Sequence, residues 1–349
     1  MDETYKNFTN KLLSVARCKY FKNLGGNKMK KIWSYIELMQ KKLVWAIPTF
    51  MIMGIIYGTL FNPTNLKSLV MPLTFLMVYP IMVTLKINEL LQKGGEKANI
   101  IALILNFGIM PFVAFGIGKL FFPDKPLLIV GILLSALLPT SGMTISWTSF
   151  AKGNVHSAIK MTIIGLILGS VITPLYIKWL VGTTVSIPMM DVFNQIILIV
   201  FLPMILGYIS QKIIIKVYGE KTFNSSIKSK FPTLSTIGVL GVVFVAMALK
   251  ANTITSNPLI ILKSLFPIAI LYTINYFIST IVGKIFLSKE DAIALVYGTV
   301  MRNLSIALAI AMTVFGKEGS EIALIIALSY IVQVKSAAWY VKFTDKIFR

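Results

Sequence analysis

An apolar helix that breaks inside a hydrophobic block is predicted by the stretch Gly131-Ile-Leu-Leu-Ser-Ala-Leu-Leu-Pro-Thr-Ser-Gly-Met-Thr144. Pro139 lacks a backbone N–H and clashes with the preceding helical turn, and Gly142 is permissive about backbone angles. The hydroxyl residues at this break are Thr140, Ser141 and Thr144. In lipid, irregular backbone is tolerated only beside protein or a watery cavity. We therefore expect an unwound segment at mid-membrane; the alternative is a proline kink whose hydroxyls bond back to the helix.

The composition around this stretch is that of a membrane protein. Hydrophobic residues make up 56% of the 349-residue chain, charged residues make up 13%, and the mean hydropathy is +0.80. A soluble domain carries about 25% charged residues. The exterior of this protein therefore cannot be mainly water-facing.

The chain divides into ten apolar blocks, which we number as spans 1 to 10. They cover about 43–61, 66–85, 98–121, 126–151, 156–181, 190–212, 232–250, 257–286, 290–315 and 319–341. About 20 apolar residues are needed to cross a bilayer as a helix, and the blocks lack the strict alternation of barrel strands. The sequence predicts an all-α, polytopic membrane protein, with a basic tail at 1–41 and a transmembrane domain at 42–349.

Basic residues are distributed unevenly between the two sides of these spans. Ten Lys and Arg lie in the first 42 residues, and the 2–3 and 6–7 loops are also basic, whereas the alternate loops are poor in both. Because cytoplasmic loops collect positive charge, we expect both termini in the cytoplasm and the protein in the plasma (inner) membrane. The net charge of +21 is spread over these loops, so we expect contact with anionic lipid and no nucleic-acid partner.

Enzyme and metal sites have little support in this sequence. Cys18 is the only cysteine and His156 the only histidine, so neither a disulfide within the chain nor a cluster of cysteines or histidines around a metal can form. No phosphate-binding loop and no acid–base pair inside a span are present. We expect a protein that is not an enzyme and has neither a cofactor nor a metal.

Span 9 contains a second break, Tyr297-Gly-Thr-Val-Met-Arg-Asn-Leu-Ser305. Arg302 lies about twelve residues from Glu290 and about thirteen from Phe315, which is the middle of the span. An arginine at this depth costs roughly 2.5–3.5 kcal/mol on insertion scales. It needs a cavity, a partner or an anionic ligand; the alternative is a structural arginine bonded to helix carbonyls. Lys160 and Lys335, inside spans 5 and 10, either line the same cavity or extend to the cytoplasmic face.

The two breaks occupy corresponding positions, since span 4 is the fourth of the first five and span 9 the fourth of the second five. An odd number of spans inverts the topology of a repeat, so 43–184 and 190–349 are predicted to be two inverted five-helix repeats. Interrupted helices in matching positions are the best sequence indication of a transporter binding site. Half-helix ends at such a site present backbone dipoles of both signs to a solute.

These motifs resemble the bile acid:sodium symporter superfamily, which also contains the arsenite efflux permeases. The resemblance covers roughly 43–341, and its strongest stretch is 139–154 followed by Thr162. Asn106-Phe-Gly-Ile-Met-Pro111 is similar to the family's span-3 motif, and Met301-Arg-Asn303 to its span-9 crossover. Trp147 with Ala151-Lys-Gly153, and Leu76-Met-Val-Tyr-Pro80, favour the arsenite branch. The resemblance implies ten helices, a panel of spans 1, 2, 6 and 7, a core of the other six, and transport by alternating access.

The chain departs from this family at the residues that bind ions. The symporters have a glutamate where this chain has Gly298 and a glutamine where it has Arg302, and the arsenite permeases have a cysteine where it has Thr140. The resemblance leaves the remnant of an ion site, at Asn106, Thr144, Thr162 and Gly298. A sodium site that has lost its carboxylate and gained a neighbouring cation should not hold sodium.

Arg302 is therefore predicted to take the place of the missing sodium as a tethered cation that neutralises a small anionic solute. The predicted substrate-binding residues are Thr140, Ser141, Thr144, Arg302, Asn303 and Ser305. The predicted function is sodium-independent secondary transport, by uniport or anion exchange. The alternatives are an arsenite efflux permease, a sodium-coupled organic anion symporter and, in another class, a membrane receptor or scaffold.

Overall fold

The computed structural model describes residues 27–85, 94–182, 189–316 and 318–348. A helix at Asn27–Lys41 forms the end of the predicted tail, and residues 1–26 of that tail lie outside the described residues. The rest of the described chain is an all-α bundle with short connections. The predicted fold class, an all-α polytopic membrane protein, is confirmed.

All ten predicted spans are helical. Eight of them are single helices that are long and apolar enough to cross a membrane: Leu43–Leu60, Pro63–Val83, Glu96–Phe121, Val155–Val181, Met190–Tyr218, Lys230–Leu249, Leu259–Phe286 and Gly319–Ile347. Spans 4 and 9 are each divided into two half-helices, which we call 4a (Pro126–Leu137), 4b (Gly142–Phe150), 9a (Lys289–Val300) and 9b (Leu304–Val314). The two predicted breaks thus fall where the structure interrupts the helices.

Some helices extend past the apolar blocks that predicted them. Span 6 continues to Tyr218 through Lys212 and Lys216, both of which are exposed. Long lysine side chains can lay their apolar stems along a helix while the charged end stays in polar surroundings. Hydropathy therefore locates the apolar part of such a helix and underestimates its length.

Spans 1, 2, 6 and 7 form one packed group, in which span 7 packs on spans 1 and 2 and span 6 packs on span 2. Small residues bring these backbones together, as is usual between membrane helices. A Cβ added at Gly58 of span 1 would collide with the Ala248 carbonyl of span 7. Gly238 of span 7 lies in the same way against the backbone of Met77 in span 2.

Spans 3, 4, 5, 8, 9 and 10 form the second group, whose contacts follow a pattern that repeats five spans later. Half-helix 4a packs on spans 3 and 10, and 9a packs on spans 8 and 5. Half-helix 4b packs on span 5, and 9b packs on span 10. These matched pairs are the contacts expected of two five-helix repeats that share one core, and they bring the two breaks to the same place.

Candidate functional site

The breaks in spans 4 and 9 meet at one crossover. An antiparallel backbone bridge pairs Pro139 with Arg302, and the Asn303 N–H donates to the Leu138 carbonyl over 2.8 Å. Arg302 is 2% exposed and Thr140 is 1% exposed. Each unwound segment thus satisfies part of the other's backbone, away from solvent.

The side chain of Thr140 ties the first break to span 5. Its backbone is left-handed, with φ of 63°, a conformation that is uncommon for a residue with a side chain. Its hydroxyl lies 2.6 Å from the Pro139 carbonyl, 3.2 Å from that of Met161 and 3.3 Å from that of Thr162. Gly165 of span 5 makes this approach possible, because a Cβ there would lie 2.7 Å from the Thr140 hydroxyl.

Ser141 and Thr144 close the N-terminus of half-helix 4b. The Ser141 hydroxyl accepts from the Met143 N–H at 3.2 Å, and the Thr144 hydroxyl accepts from the Ser141 N–H at 3.1 Å. This reciprocal pattern is a capping box, which satisfies N–H groups that have no partner within the helix. Both residues, which the sequence predicted to bind solute, are therefore also part of the local structure.

Asn303 plays the corresponding part at the second break. Its side-chain oxygen accepts from the Ile306 N–H at 3.3 Å and caps half-helix 9b. The hydroxyl of Ser305 lies 2.6 Å from that of Tyr330 in span 10. Of the residues predicted in this segment, only Arg302 points a charged group into the core.

Two side chains outside the breaks also hold this segment. Gln333 of span 10 accepts from the Arg302 N–H at 2.8 Å and donates to the Arg302 carbonyl at 3.2 Å. Asn275 of span 8 donates to the Thr299 carbonyl at 2.9 Å, where half-helix 9a ends. Sequence reasoning missed both, although a lone amide within an apolar span was an available signal, since buried polar groups require partners.

The guanidinium of Arg302 lies in a narrow cleft between spans 3, 4 and 8. The space between atoms there is about 180 Å³, part of it open to the outside, and no part of it is wide enough to hold a water molecule. Its other lining residues are Met110, Ser135, Ala136, Leu271, Tyr272 and Asn275. Both terminal nitrogens of Arg302 are buried, and neither has a hydrogen-bond partner among the described residues.

Acidic side chains do not neutralise this cation in the described part of the chain. The ion pairs there join Lys160 to Glu96, Lys250 to Glu321 and Lys289 to Asp345. Lys160 also donates to the Gly94 carbonyl at 2.9 Å, at the start of span 3, and Lys335 is exposed. Neither lysine is among the residues that line the cleft, and their predicted alternative, extension to the cytoplasmic face, stays a prediction.

Of the predicted remnant of an ion site, Asn106 and Gly298 are in contact beside half-helix 9a, whereas Thr144 lies in the capping box of half-helix 4b. Asn106 of span 3 donates to the Gly298 carbonyl at 3.1 Å, while Thr162 bonds back to the Ala158 carbonyl at 2.7 Å. A Cβ added at Gly298 would collide with the sulfur of Met161. The space that a side chain at position 298 would enter is therefore filled by a thioether, which is a poor ligand for a hard cation.

Comparisons with known proteins agree with this architecture. The model of the Sodium Bile acid symporter family matches residues 71–257. The arsenical-resistance protein Acr3 of Alkaliphilus metalliredigens is 24% identical over 78% of this chain and 80% of its own length. The sodium-dependent transporter YocS of Bacillus subtilis, whose name marks it as uncharacterised, is 26% identical over 77% of this chain and 81% of its own. Protein YbaS of Bacillus subtilis is 28% identical over 69% and 76% of the two chains.

Proposed function

The chain belongs to the sodium/bile acid symporter family, and from that premise we propose that it is a secondary transporter of a small monovalent anion that binds at Arg302. The observation that carries the proposal is a buried guanidinium whose two terminal nitrogens lack partners among the described residues. Burying an unpaired charge is costly, and a charge-assisted bond to an anion offsets that cost.

The charge of the cleft supports a solute with one negative charge. Arg302 is the one cation among the residues that line it, and Lys160 is held by Gly94 and Glu96 at the start of span 3. A dianion would bring a second charge into the core with no cation to meet it, and a buried unpaired charge is strongly unfavourable.

The hydrogen-bond donors of the cleft support a planar head with two oxygens. The two terminal nitrogens of an arginine form a fork that matches a carboxylate. The neighbouring hydroxyls already donate elsewhere, Tyr272 to Gln333 at 2.8 Å and Ser135 to the Gly131 carbonyl at 2.9 Å, and Asn275 commits one of its two amide hydrogens to the Thr299 carbonyl at 2.9 Å. The two oxygens of a carboxylate therefore match the donors of the cleft more fully than the four oxygens of a tetrahedral oxyanion.

The rest of the cleft supports a solute with a short apolar body. Met110, Ala136 and Leu271 present apolar side chains beside the guanidinium. Because the cleft is too tight for a water molecule, the spans must separate before a solute enters. Alternating access, in which one group of spans rocks against the other around the crossover, provides that separation.

Sodium has no part in the proposed mechanism. Gly298 supplies no carboxylate, the Met161 sulfur occupies the adjoining space, and Arg302 brings a positive charge to the same segment. In the proposal this cation replaces the coupling ion, so the protein works as a uniporter or an anion exchanger. Arg302 binds the anion, while Thr140, Ser141, Thr144, Asn303 and Ser305, which lie outside the lining of the cleft, keep the breaks in shape.

The arrangement in the membrane follows from the charge distribution. We propose a cytoplasmic tail at 1–41 and a transporter domain at 42–349, composed of the inverted repeats 43–184 and 190–349. Both termini lie in the cytoplasm, and the protein resides in the plasma (inner) membrane. A reporter fused to each terminus and to the 3–4 loop tests this orientation; a cytoplasmic 3–4 loop would contradict it.

A second candidate function is arsenite efflux, and the similarity to an arsenical-resistance protein over 78% of this chain favours it. Thr140 stands where the arsenite permeases have a cysteine. Its hydroxyl is within hydrogen-bond distance of the carbonyls of Pro139 and, in span 5, Met161. Expression in an arsenite-sensitive bacterium tests this candidate directly. Growth restored by the wild-type protein and lost in T140A would support arsenite efflux over the transport of carboxylates.

The proposal itself is tested by the thermal unfolding of purified protein in the presence of anions. We expect potassium lactate to raise Tm, because a ligand that binds the folded state stabilises it. Potassium succinate, phosphate and sulfate should raise Tm much less, and exchanging potassium for sodium should change nothing. Stabilisation by sodium chloride and not by potassium lactate would overturn the proposal.

A further inference from the structure

Gln333 lies fully buried in span 10, with an exposed fraction of 0%, and its amide contacts two residues of the cleft. The amide oxygen accepts from the Arg302 N–H at 2.8 Å and from the Tyr272 hydroxyl at 2.8 Å. The amide nitrogen donates to the Arg302 carbonyl at 3.2 Å. One side chain therefore joins the unwound backbone of span 9 to a wall of the cleft.

We propose that Gln333 is the positioning residue of the anion site, which aims the guanidinium of Arg302 and links occupation of the cleft to the shape of the break in span 9. The inference rests on the proposed function, because it concerns the same cleft. It adds a specific role for span 10, which contributes no residue to the cleft lining and acts only through residues that do.

The chemistry of the amide explains why a glutamine suits this position. Residues 301–303 are not helical, so the N–H and carbonyl of Arg302 have lost the partners that a helix provides. A primary amide offers an acceptor and a donor side by side, as a neighbouring strand would. Glutamate would lack the donor and leucine would lack both groups. Neither could therefore bond the N–H and the carbonyl of Arg302 at once.

A second residue of span 10, near Gln333, also contacts a residue that lines the cleft. Ser329 lies four residues earlier, on the same face of the helix, and its hydroxyl donates to that of Ser135 at 3.2 Å. Span 10 therefore contacts Arg302, Tyr272 and Ser135, three of the residues that line the cleft. On the opposite side, the Asn303 N–H donates to Leu138 of span 4. The segment that carries Arg302 is thus held between span 10 and the first break.

These contacts distinguish positioning from simple support. An anion on the guanidinium would lie against Tyr272, whose hydroxyl is committed to the amide that holds the Arg302 backbone. If a bound anion shifts the Tyr272 side chain, the hydrogen bond to Gln333 transmits the shift to the amide and, through it, to the backbone of Arg302. Loss of the amide should therefore change affinity in the folded molecule, beyond any change in the amount of folded protein.

The chain offers a matched control in Gln211 of span 6, which is 9% exposed. Its amide donates to the carbonyls of Val83 and Leu85 at 2.8 and 3.0 Å, where span 2 ends. Gln211 is thus a second buried glutamine that satisfies backbone groups at a helix end, but it lies in the other group of spans. Q211L should lower stability through the same kind of loss as Q333L, without touching the anion site.

The test measures the Kd for potassium lactate by calorimetry and Tm by thermal unfolding, for wild type, Q333L, Q211L and R302L. We expect Q333L to weaken lactate binding by about tenfold, because the amide that fixes the backbone of Arg302 is lost, and Q211L to lower Tm with an unchanged Kd. Y272F, which removes one hydroxyl, gives a milder version if Q333L does not fold; its Kd should rise by a few-fold.

The outcomes separate this inference from the proposed function. If R302L binds lactate as tightly as wild type, the proposed function fails. If R302L loses binding while Q333L and Y272F keep the wild-type Kd, the anion site stands and the positioning role of Gln333 is wrong. Equal loss of affinity in Q333L and Q211L would also overturn the positioning role, because it would show a general effect of destabilisation.

Discussion

The two breaks that cross in the core differ in how they treat their polar side chains. At the first break, the Thr140 hydroxyl lies close to carbonyls of Pro139 and span 5, and Ser141 and Thr144 cap half-helix 4b. At the second, Asn303 caps half-helix 9b, but both terminal nitrogens of Arg302 lack partners among the described residues. The polar side chains of the first break are hydrogen-bonded, whereas the second break leaves the terminal nitrogens of Arg302 without a partner among the described residues.

This difference indicates a division of labour within one crossover. A satisfied polar network fixes a conformation, whereas an unpaired buried group is expensive to keep and calls for an explanation. We therefore expect substitutions at the first break to change stability, and substitutions at the second to change ligand binding.

The largest effect is expected from Arg302→Leu. Removing the charge should weaken lactate binding by about 100-fold, because losing one partner of a buried charge pair costs roughly 3 kcal/mol. R302K, which keeps the charge but lacks the fork, should fall between wild type and R302L. Calorimetry gives the Kd values. Without ligand, the Tm of R302L should equal or exceed that of wild type, since an unpaired buried cation is removed; a large drop in Tm would show instead that Arg302 is structural.

Thr140→Ala should lower the stability of the first break. It removes the hydroxyl that satisfies carbonyls at the first break and in span 5, and should cost about 1–3 kcal/mol of folding free energy. The Kd for lactate should stay unchanged, because the guanidinium is untouched. Denaturant unfolding in detergent measures the stability, with T140S as the control that keeps the hydroxyl. A tenfold change in Kd without loss of stability would show that the first break also binds the ligand, which contradicts the roles proposed for the two breaks.

Gly298→Ala adds a methyl group near the end of half-helix 9a. The added methyl group would collide with the Met161 sulfur, and overpacking of this kind costs about 1–3 kcal/mol; the lower end is expected because a methionine side chain can move. The double variant M161A/G298A should recover part of the stability lost in G298A, as measured by Tm. If G298A is as stable as wild type, the thioether does not fill this space.

The smallest effects are expected from the paired caps, Ser141→Ala and Asn303→Ala. Each loses one capping bond at the start of a half-helix, which typically costs about 1 kcal/mol, so the two variants should lose similar stability. Only N303A should also weaken lactate binding, because Asn303 adjoins Arg302 in the segment that aims it. Parallel Tm and Kd measurements decide the matter, and a change in Kd for S141A alone would reverse the assignment.

Hydropathy and charge predicted the fold, because the bilayer constrains the composition of each span independently of the other spans. An apolar block must be helical, a proline beside a glycine and hydroxyls interrupts it, and an arginine at mid-span needs a partner. The ten spans, both breaks and the choice of Arg302 required no knowledge of which helices touch. The helix ends were less predictable, since a helix can continue past its apolar part through lysines such as Lys212 and Lys216.

Contacts between distant spans could not be predicted in this way. Gln333 and Arg302 are near in space only because span 10 packs on half-helix 9b, and nothing local to either residue indicates the other. The same holds for Met161, whose sulfur fills the space beside Gly298. Thr140 was visible as a polar residue, but its contacts with the Met161 and Thr162 carbonyls of span 5 depend on the packed crossover.

Counterflow in proteoliposomes measures whether Arg302 binds and carries a monovalent anion without sodium. Vesicles loaded with unlabelled potassium lactate would be diluted into labelled lactate, with choline as the only added cation. Wild-type protein should accumulate label equally in choline and in sodium, and R302L should accumulate none above empty vesicles. Uptake that requires sodium, or that survives in R302L, would contradict this role of Arg302.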